Sequence, residues 1–217
     1  MKTAYSLGDT VECGIDEAGR GCFWGPLVAG AVIWSPEDDW TDEHRELCPF
    51  IKDSKKIPKA RRSAIAAGIQ SLAVDWGVGF VKAKEINEKG MTWANREAFR
   101  RAMASMYTGL EPELLLIDGI LNLPEEDLAL KGQKQECIVG GDGLYLPIAA
   151  ASILAKHGRD TWVEEWSLKP ENQVYAANYD LLSNMGYGTA KHREGLKEKG
   201  AHEEHRTQFI RNWVKSS

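Results

Sequence analysis

Apolar residues recur along this chain with two different spacings, and the first is that of β-strands. Every second residue is apolar from 74 to 80, which is the period of a strand with one buried face. Residues 114–118 form a short apolar run that ends in an acid, which is typical of a buried strand reaching the carboxyl edge of a sheet. Further strands are predicted at residues 11–16, 27–34 and 137–139.

Apolar residues recur with the spacing of an α-helix in the segments between and after these strands. Pro58 is well placed to begin one helix, because proline fits the first helical turn, and Thr92 can cap a second. Pro147 precedes a long run rich in alanine at 148–166, and a last helix is predicted at 203–214. The apolar positions expected to be buried are Ala60, Ile65, Ile69 and Leu72 in the first helix and Ala98, Phe99, Ala102, Met103 and Met106 in the second.

The order of these elements predicts an α/β fold built on a mixed five-stranded sheet flanked by helices. The length of 217 residues suits one domain spanning 1–217, with a small helical C-terminal segment from about residue 170. The polar segment 35–50 is expected to be an exposed loop. No long apolar face is left unexplained, so a monomer is expected.

Composition changes this picture little. At 43% hydrophobic and 27% charged residues, the chain has enough apolar material for a sizeable core. It lacks an apolar run of the roughly 20 residues that span a membrane, and residues 1–10 do not resemble a signal peptide. The four cysteines are scattered without a CxxC pair, which indicates reduced thiols rather than structural zinc. A cytoplasmic location is therefore expected.

The net charge of −5 argues mildly against nucleic-acid binding, because phosphates favour basic partners. The distribution of charge matters more than its total. One short stretch is strongly basic, and the sequence leaves open whether it contacts phosphate or forms a solvated helix face. Its members are Lys52, Lys55, Lys56, Lys59, Arg61 and Arg62.

Two adjacent carboxylates, Asp16 and Glu17, run directly into the glycine turn Gly19-Arg20-Gly21. Burying a charge without a partner is costly, so acids at the end of a strand commonly hold a cation. Glycines let a backbone approach a ligand closely and direct N–H groups at it. Because neighbouring strand residues point to opposite faces, both acids can serve one site only if the strand ends or bulges there.

Asp118 and Asp142 are two further acids at predicted turns. Each taken singly is equally well explained as a turn residue, since Asp-Gly is a common turn signal. Together with Asp16 and Glu17, however, they supply the hard oxygen ligands that Mg²⁺ prefers. Two such ions about 4 Å apart can hold the attacking water and the leaving oxygen of a phosphodiester.

At these residues the chain resembles the type 2 ribonucleases H, the ribonuclease HII family. The matching segments follow one another in order over nearly the whole chain, which makes the resemblance highly specific. They are residues 14–21 with Gly25-Pro26, Asp53-Ser54-Lys55-Lys56, Ile117-Asp118-Gly119, Gly141-Asp142 with 148–156 and Arg159-Asp160, and 186–189 with His192, His205-Arg206 and Phe209.

The resemblance implies a ribonuclease H-like fold and a phosphodiesterase that uses Mg²⁺ or Mn²⁺. Its substrates would be RNA–DNA hybrids and duplex DNA with embedded ribonucleotides. Cleavage would fall 5′ of the ribonucleotide and leave 3′-hydroxyl and 5′-phosphate ends. The 2′-hydroxyl distinguishes RNA from DNA and lies in a wide minor groove, where a glycine turn can approach it.

The resemblance also assigns roles to particular residues. It makes Asp16, Glu17, Asp118 and Asp142 the metal-binding catalytic acids. Backbone groups of Gly19, Arg20 and Gly21 would contact the ribose 2′-hydroxyl, and Tyr187 would stack on the adjoining deoxyribose. Lys55, inside a matching motif, is the basic residue best placed to contact a phosphate.

Three segments depart from the family pattern. Cys22, Phe23 and Trp24 replace smaller residues after the glycine turn, and packing against the sheet is favoured over a groove contact. Asn87 stands where an aspartate is usual, and Gly140 stands where a lysine is common.

Several other residues have competing interpretations. Lys156 and Arg159 fall on the long helix, where surface exposure and DNA contact are nearly equally supported. His192 is interpreted as structural, and His202 and His205 lack a third metal ligand. Trp162, Trp166 and Trp213 are interpreted as packing residues. The tail 208–213 has the wrong apolar spacing for a sliding-clamp peptide, so a packed terminal helix is preferred.

Two alternative functions remain at this point. A ribonuclease HIII type would cut only hybrids of several ribonucleotides. The expected lack of an N-terminal substrate-binding domain before the first motif argues against this alternative. A non-catalytic hybrid-binding protein is the second alternative, and the presence of all four acids argues against it.

Overall fold

Five strands form one mixed sheet, as the apolar pattern predicts. The computed structural model describes residues 1–6, 8, 10–125 and 132–214. The strands run in the order β3-β2-β1-β4-β5; β2 is antiparallel to both neighbours, whereas β4 is parallel to both of its own. Their bounds are β1 Glu12–Ala18, β2 Leu27–Ile33, β3 Asp75–Val81, β4 Leu114–Asp118 and β5 Lys134–Ile138.

Helices cover both faces of this sheet and continue to the C-terminus. The first four precede β4: α1 Asp42–Leu47, α2 Lys59–Leu72, α3 Ala83–Lys89 and α4 Met91–Ala104. The later helices are α5 Leu146–Leu168, α6 Gln173–Asn178, α7 Leu181–Asn184, α8 Ala190–Lys199 and α9 Thr207–Ile210. None of the helices in the described part of the chain is both long and apolar enough to cross a membrane.

The long helix α5 lies directly on β1 and β2 because glycines remove the side chains between them. A Cβ on Gly30 would stand 2.3 Å from the carbonyl oxygen of Ala151, and one on Gly14 would stand 2.1 Å from the backbone of Pro147. Neither contact is sterically possible, so these strand positions require glycine at this helix separation. The close approach places the middle of α5 beside the carboxyl end of β1.

The opposite face of the sheet packs against α4. Alternate residues of β1, among them Cys13 and Ile15, share a buried cluster with Ala98, Phe99 and Ala102 of that helix. Successive strand residues point to opposite faces, so Glu17 continues the α4-facing series and Asp16 faces α5. The two acids thus start from opposite sides of the sheet.

Several boundaries differ from the sequence-based expectation. Helix α4 begins at Met91 after Gly90, so Thr92 is not its cap, and α3 was not predicted. Segment 35–50 is not simply an exposed loop: it contains α1, whose His44 is buried. The terminal helix is confined to Thr207–Ile210 rather than covering 203–214.

The C-terminal segment packs its own small core against residues that follow the glycine turn. Trp24 is fully buried there and contacts the rings of Trp166, His202 and Tyr179. Phe23, Trp162 and Trp213 pack against the same cluster. The packing interpretation of Trp162 and Trp213 is therefore confirmed, whereas Phe23 and Trp24 pack against the C-terminal segment rather than against the sheet.

Candidate active site

Asp16 and Asp118 lie side by side at the carboxyl edge of the sheet. The parallel pairing of β1 with β4 ends at Ile15 and Ile117, so each acid is the next residue on its own strand. Asp16 is almost fully buried. Burial raises the pKa of Asp16 well above its ordinary value, and the charges of Glu17 and Asp118 raise it further. Such crowding is relieved when a cation binds.

Glu17 reaches this edge without the bulge or strand end that the sequence suggested. Its register with Ala29 of β2 is regular, and β1 continues to Ala18. Pairing on the other side has already stopped at Ile15, so the strand has an open edge where carboxylates from both faces can meet. Burial raises the pKa of Glu17, while Arg20, 3.7 Å away, opposes that rise.

Asp142 joins the group from the turn before α5. It belongs to the short 3₁₀ turn Gly141–Gly143 and donates its backbone N–H to Asp118 Oδ1 at 3.4 Å. Lys55 Nζ lies 3.9 Å from Asp142 Oδ2. Burial and the neighbouring Asp118 raise the pKa of Asp142, and Lys55 partly offsets them. All four predicted acids therefore lie in one neighbourhood.

This neighbourhood is not a closed metal cage. Within the described ranges, no three His, Cys, Asp or Glu side chains are arranged tightly enough to hold an ion. The donor set nevertheless fits a hard divalent cation, because it consists of carboxylates that include the buried Asp16 and Asp142. These acids would be the residues to hold Mg²⁺ or Mn²⁺.

A cavity of about 220 Å³ connects three of the acids with the glycine turn and a tyrosine. Its lining comprises Asp16, Glu17, Asp118, residues 18–21, Ser54, Lys55, Ser152, Lys156 and Tyr187. Asp142 is outside this lining and contacts the group through Asp118. The cavity thus brings together the predicted catalytic and substrate-contacting residues except Asp142, and Ser54, Ser152 and Lys156 are added to them.

Two of these additions form a buried link behind Lys55. The hydroxyls of Ser54 and Ser152 are 2.9 Å apart, which ties the 53–56 segment to α5. Lys55 itself is 83% exposed along its side chain, so its amine is open to solvent beside Asp142. No periodicity in the sequence distinguishes these serines, since they lie 98 residues apart.

The glycine turn has a steric requirement at its first position. Gly19 has φ +88°, and a Cβ there would lie 2.0 Å from Nε of Arg159. Gly21 has open space around the corresponding point. Only the first glycine is thus required by the fold itself, and the openness at Gly21 leaves room for a ligand.

Tyr187 projects from the loop between α7 and α8 with 41% of its surface exposed. The Lys156 amine and the Arg159 guanidinium lie 5.4 and 5.7 Å from its ring centre. Burial of the hydroxyl end, with a smaller contribution from Cys22, raises the pKa of Tyr187 to about 12. The phenol therefore stays neutral at physiological pH.

The basic residues separate into different roles. Arg62 is buried and donates to Asp160 at 2.8 Å, and Lys59 forms an ion pair with Glu164. Arg159 is fully buried, so both interpretations of this residue, as an exposed surface residue and as a direct DNA contact, are wrong. Lys156 is half-buried and also bonds Asp160 at 2.7 Å. The basic stretch is consequently not a uniform phosphate-binding face.

The family model described as Ribonuclease HII matches residues 13–215. The chain belongs to the ribonuclease HII family. It is 40% identical over 196 residues to a ribonuclease HII of Trichormus variabilis, covering 90% of this chain and 80% of that protein. The corresponding protein of Moorella thermoacetica is 39% identical over 198 residues, covering 90% and 84%. The protein is accordingly a nuclease with ribonuclease H activity on RNA–DNA hybrids.

Solved structures agree on the ribonuclease H-like fold. The ribonuclease H2 of Pyrococcus horikoshii gives a TM-score of 0.70 at 25% identity, with 91% of this chain and 92% of that chain covered. The ribonuclease HII in a complex with PCNA from Archaeoglobus fulgidus gives 0.72 at 27% identity, covering 95% and 98%. A ribonuclease HIII in complex with Mn²⁺ gives 0.62 at 21% identity, covering 94% and 68%.

Proposed function

We propose that the protein cuts duplex DNA on the 5′ side of an embedded ribonucleotide as well as RNA–DNA hybrids, leaving 3′-hydroxyl and 5′-phosphate ends. The observation that carries this proposal is the shared cavity: acids, glycine turn and Tyr187 line one space. The turn that would read the sugar lies in the same cavity as the acids that would serve backbone hydrolysis.

Asp16, Glu17, Asp118 and Asp142 would hold two Mg²⁺ or Mn²⁺ ions. When bound, such ions lower the pKa of an attacking water and stabilise the charge that develops on the departing 3′-oxygen. Burial of Asp16 and Asp142 keeps bulk water from competing for their oxygens. The exposed Lys55 amine would hold a phosphate next to these acids.

The chain supplies recognition from the other side of the cavity. Backbone N–H groups of the Gly19-Arg20-Gly21 turn would donate to the ribose 2′-hydroxyl, which DNA lacks. The half-exposed Tyr187 ring, an uncharged phenol near neutral pH, would stack on the following deoxyribose. Reading a ribose on one side and a deoxyribose on the other would define an RNA–DNA junction.

Two labelled duplexes test this proposal, one with a single embedded ribonucleotide and one with a continuous RNA strand on DNA. Each is incubated with Mg²⁺, with Mn²⁺ and with chelator. Metal-dependent cutting 5′ of the lone ribonucleotide is the expected result. Cutting of the continuous hybrid alone would replace the proposal with a ribonuclease HIII-like specificity, and binding without cutting would indicate a non-catalytic protein.

A further inference from the structure

Arg206 is fully buried beneath the glycine turn, although arginine is rarely buried without a paired acid. In the part of the chain that the structure describes, no carboxylate forms an ion pair with it, and its Nη2 has no hydrogen-bond partner. Burial lowers the pKa of Arg206 to about 10, which leaves the guanidinium charged near neutral pH. Backbone carbonyls must therefore offset the cost of burying this cation.

Those carbonyls belong to the turn and to the chain just after it. Arg206 Nη1 donates to the carbonyl oxygens of Gly19 at 2.6 Å and Arg20 at 3.2 Å. Its Nε donates to the carbonyl oxygen of Gly25 at 3.0 Å. One planar guanidinium thus holds three carbonyls around the turn, in the fixed fork geometry that distinguishes arginine from lysine.

Holding these carbonyls also orients the opposite side of the same peptide planes. The structure has no cis peptide bond among its described residues, and in a trans peptide the C=O and the following N–H point in opposite directions. The carbonyls of Gly19 and Arg20 point inward to Arg206. The N–H groups of Arg20 and Gly21 therefore point away from it, and these residues line the cavity.

The backbone of Arg206 is itself held from α3. The Asn87 side-chain amide donates to the carbonyl oxygen of His205 at 2.9 Å and accepts from the backbone N–H of Thr207 at 2.9 Å. These are the two residues that flank Arg206. An exposed amide on α3 thus fixes the place from which the buried guanidinium reaches the turn.

We propose that Arg206 is a positioning residue for ribose recognition: held in place by Asn87, it fixes the peptide planes of the glycine turn so that their N–H groups select a 2′-hydroxyl. This inference rests on the proposed function, in which that turn reads the ribose. Neither residue touches the substrate; both act through the backbone of residues 19–21.

The test measures binding rather than cleavage. In the Asp16→Asn background, fluorescence anisotropy gives the Kd for a duplex with one ribonucleotide and for the all-DNA duplex of the same sequence. The ratio of the two Kd values is the preference for ribose. We expect Arg206→Lys to lower this preference about tenfold, because lysine cannot hold three carbonyls in one plane, while all-DNA binding stays unchanged.

Two further variants make the result specific. Asn87→Ala removes an exposed side chain and should lower the preference in the same direction by a smaller factor. Arg62→Lys is the matched control: Arg62 is also buried, but it bonds Asp160 and the Ile57 carbonyl and none of the carbonyls of the turn, so the preference should stay at its original value.

Each remaining outcome decides against the inference. A folded Arg206→Lys variant with the original preference would overturn it, as would an equal loss in Arg62→Lys. If Arg206→Lys does not fold, an unchanged preference in Asn87→Ala would overturn it as well. Cleavage by the unsubstituted protein is measured separately, so failure of the proposed function is recognised independently.

Discussion

Lowering the pH is expected to destabilise the protein through one buried histidine pair. His192 and His205 are almost inaccessible to solvent, and their Nε2 atoms lie 3.0 Å apart. His192 Nδ1 lies 3.1 Å from the Tyr187 carbonyl oxygen, so it carries the proton and its Nε2 accepts from His205. His205 Nδ1 in turn accepts the backbone N–H of His202 at 2.9 Å. Every ring nitrogen of the two histidines has a suitable hydrogen-bond partner only when both rings are neutral.

The direction and size of the effect follow from this arrangement. Burial lowers the pKa of His192 from 6.5 to about 4 and that of His205 to about 3. Below pH 6.5 the unfolded chain binds protons that the folded pair rejects, so stability is highest above that pH and falls as the pH decreases. The loss is about 1.4 kcal/mol per pH unit for each histidine. At about pH 5 it amounts to about 2 kcal/mol per histidine, or about 4 kcal/mol for the pair.

Urea denaturation at about pH 7.5 and about pH 5 measures this loss as a change in the free energy of unfolding. Carboxylates also titrate in this range, so the comparison uses variants. His205→Gln keeps an N–H donor for His192 but does not titrate, and its decline should be about 2 kcal/mol smaller than that of the original protein. Adding His192→Gln should reduce the pH-dependent decline in the free energy of unfolding by about 2 kcal/mol more. An identical decline in the original protein and the double variant would refute the reasoning.

Three further predictions concern the site and its support. Asp16→Asn should nearly abolish metal-dependent cleavage while duplex binding measured by anisotropy is retained; near-normal cleavage would remove Asp16 from the catalytic set. Asp160→Ala deletes the carboxylate shared by the buried Arg62 and the half-buried Lys156 and should cost about 3–5 kcal/mol in urea denaturation, whereas Glu164→Ala in a more exposed pair should cost less than about 1 kcal/mol. Gly30→Ala should lower the melting temperature, since its methyl group would overlap α5, at a cost of about 1–3 kcal/mol; an unchanged melting temperature would contradict the close packing.

Strands were predictable from the sequence where burial imposes a pattern on it. Strand β4 has the predicted bounds because Leu114–Leu116 and Ile117 are all buried between two helical layers. Strand β5 begins at Lys134, three residues before the prediction. It lies at the sheet edge with several exposed residues, so backbone pairing with β4 fixes it without any apolar alternation.

In the C-terminal segment, hydrogen bonds to distant residues override the local helical pattern of the sequence. A helix was predicted over 203–214, but only Thr207–Ile210 is helical. The His205 ring pairs with that of His192, and the His205 carbonyl oxygen accepts a hydrogen bond from the Asn87 side chain. The backbone of Arg206 is extended and directs its side chain under the glycine turn. These partners lie from 13 to 187 residues away in the chain, beyond the reach of any helical periodicity.

The candidate site was predictable in its acids and not in what supports them. Adjacent carboxylates before a glycine turn carry a recognisable burial cost, and that cost pointed to Asp16 and Glu17. Asp118 and Asp142, each equally well explained as a turn residue, were assigned through their combination with that pair and through the family resemblance. A buried arginine carries no such signal, because hydrophobic patterning treats every guanidinium as solvent-exposed. Arg62 lay in a basic run for which phosphate contact and a solvated helix face were both open, yet it is buried against Asp160. Arg206 is satisfied by carbonyls, and since every residue carries a carbonyl, composition cannot reveal which of them converge. A buried arginine whose partners are backbone carbonyls can therefore be identified only from the folded structure.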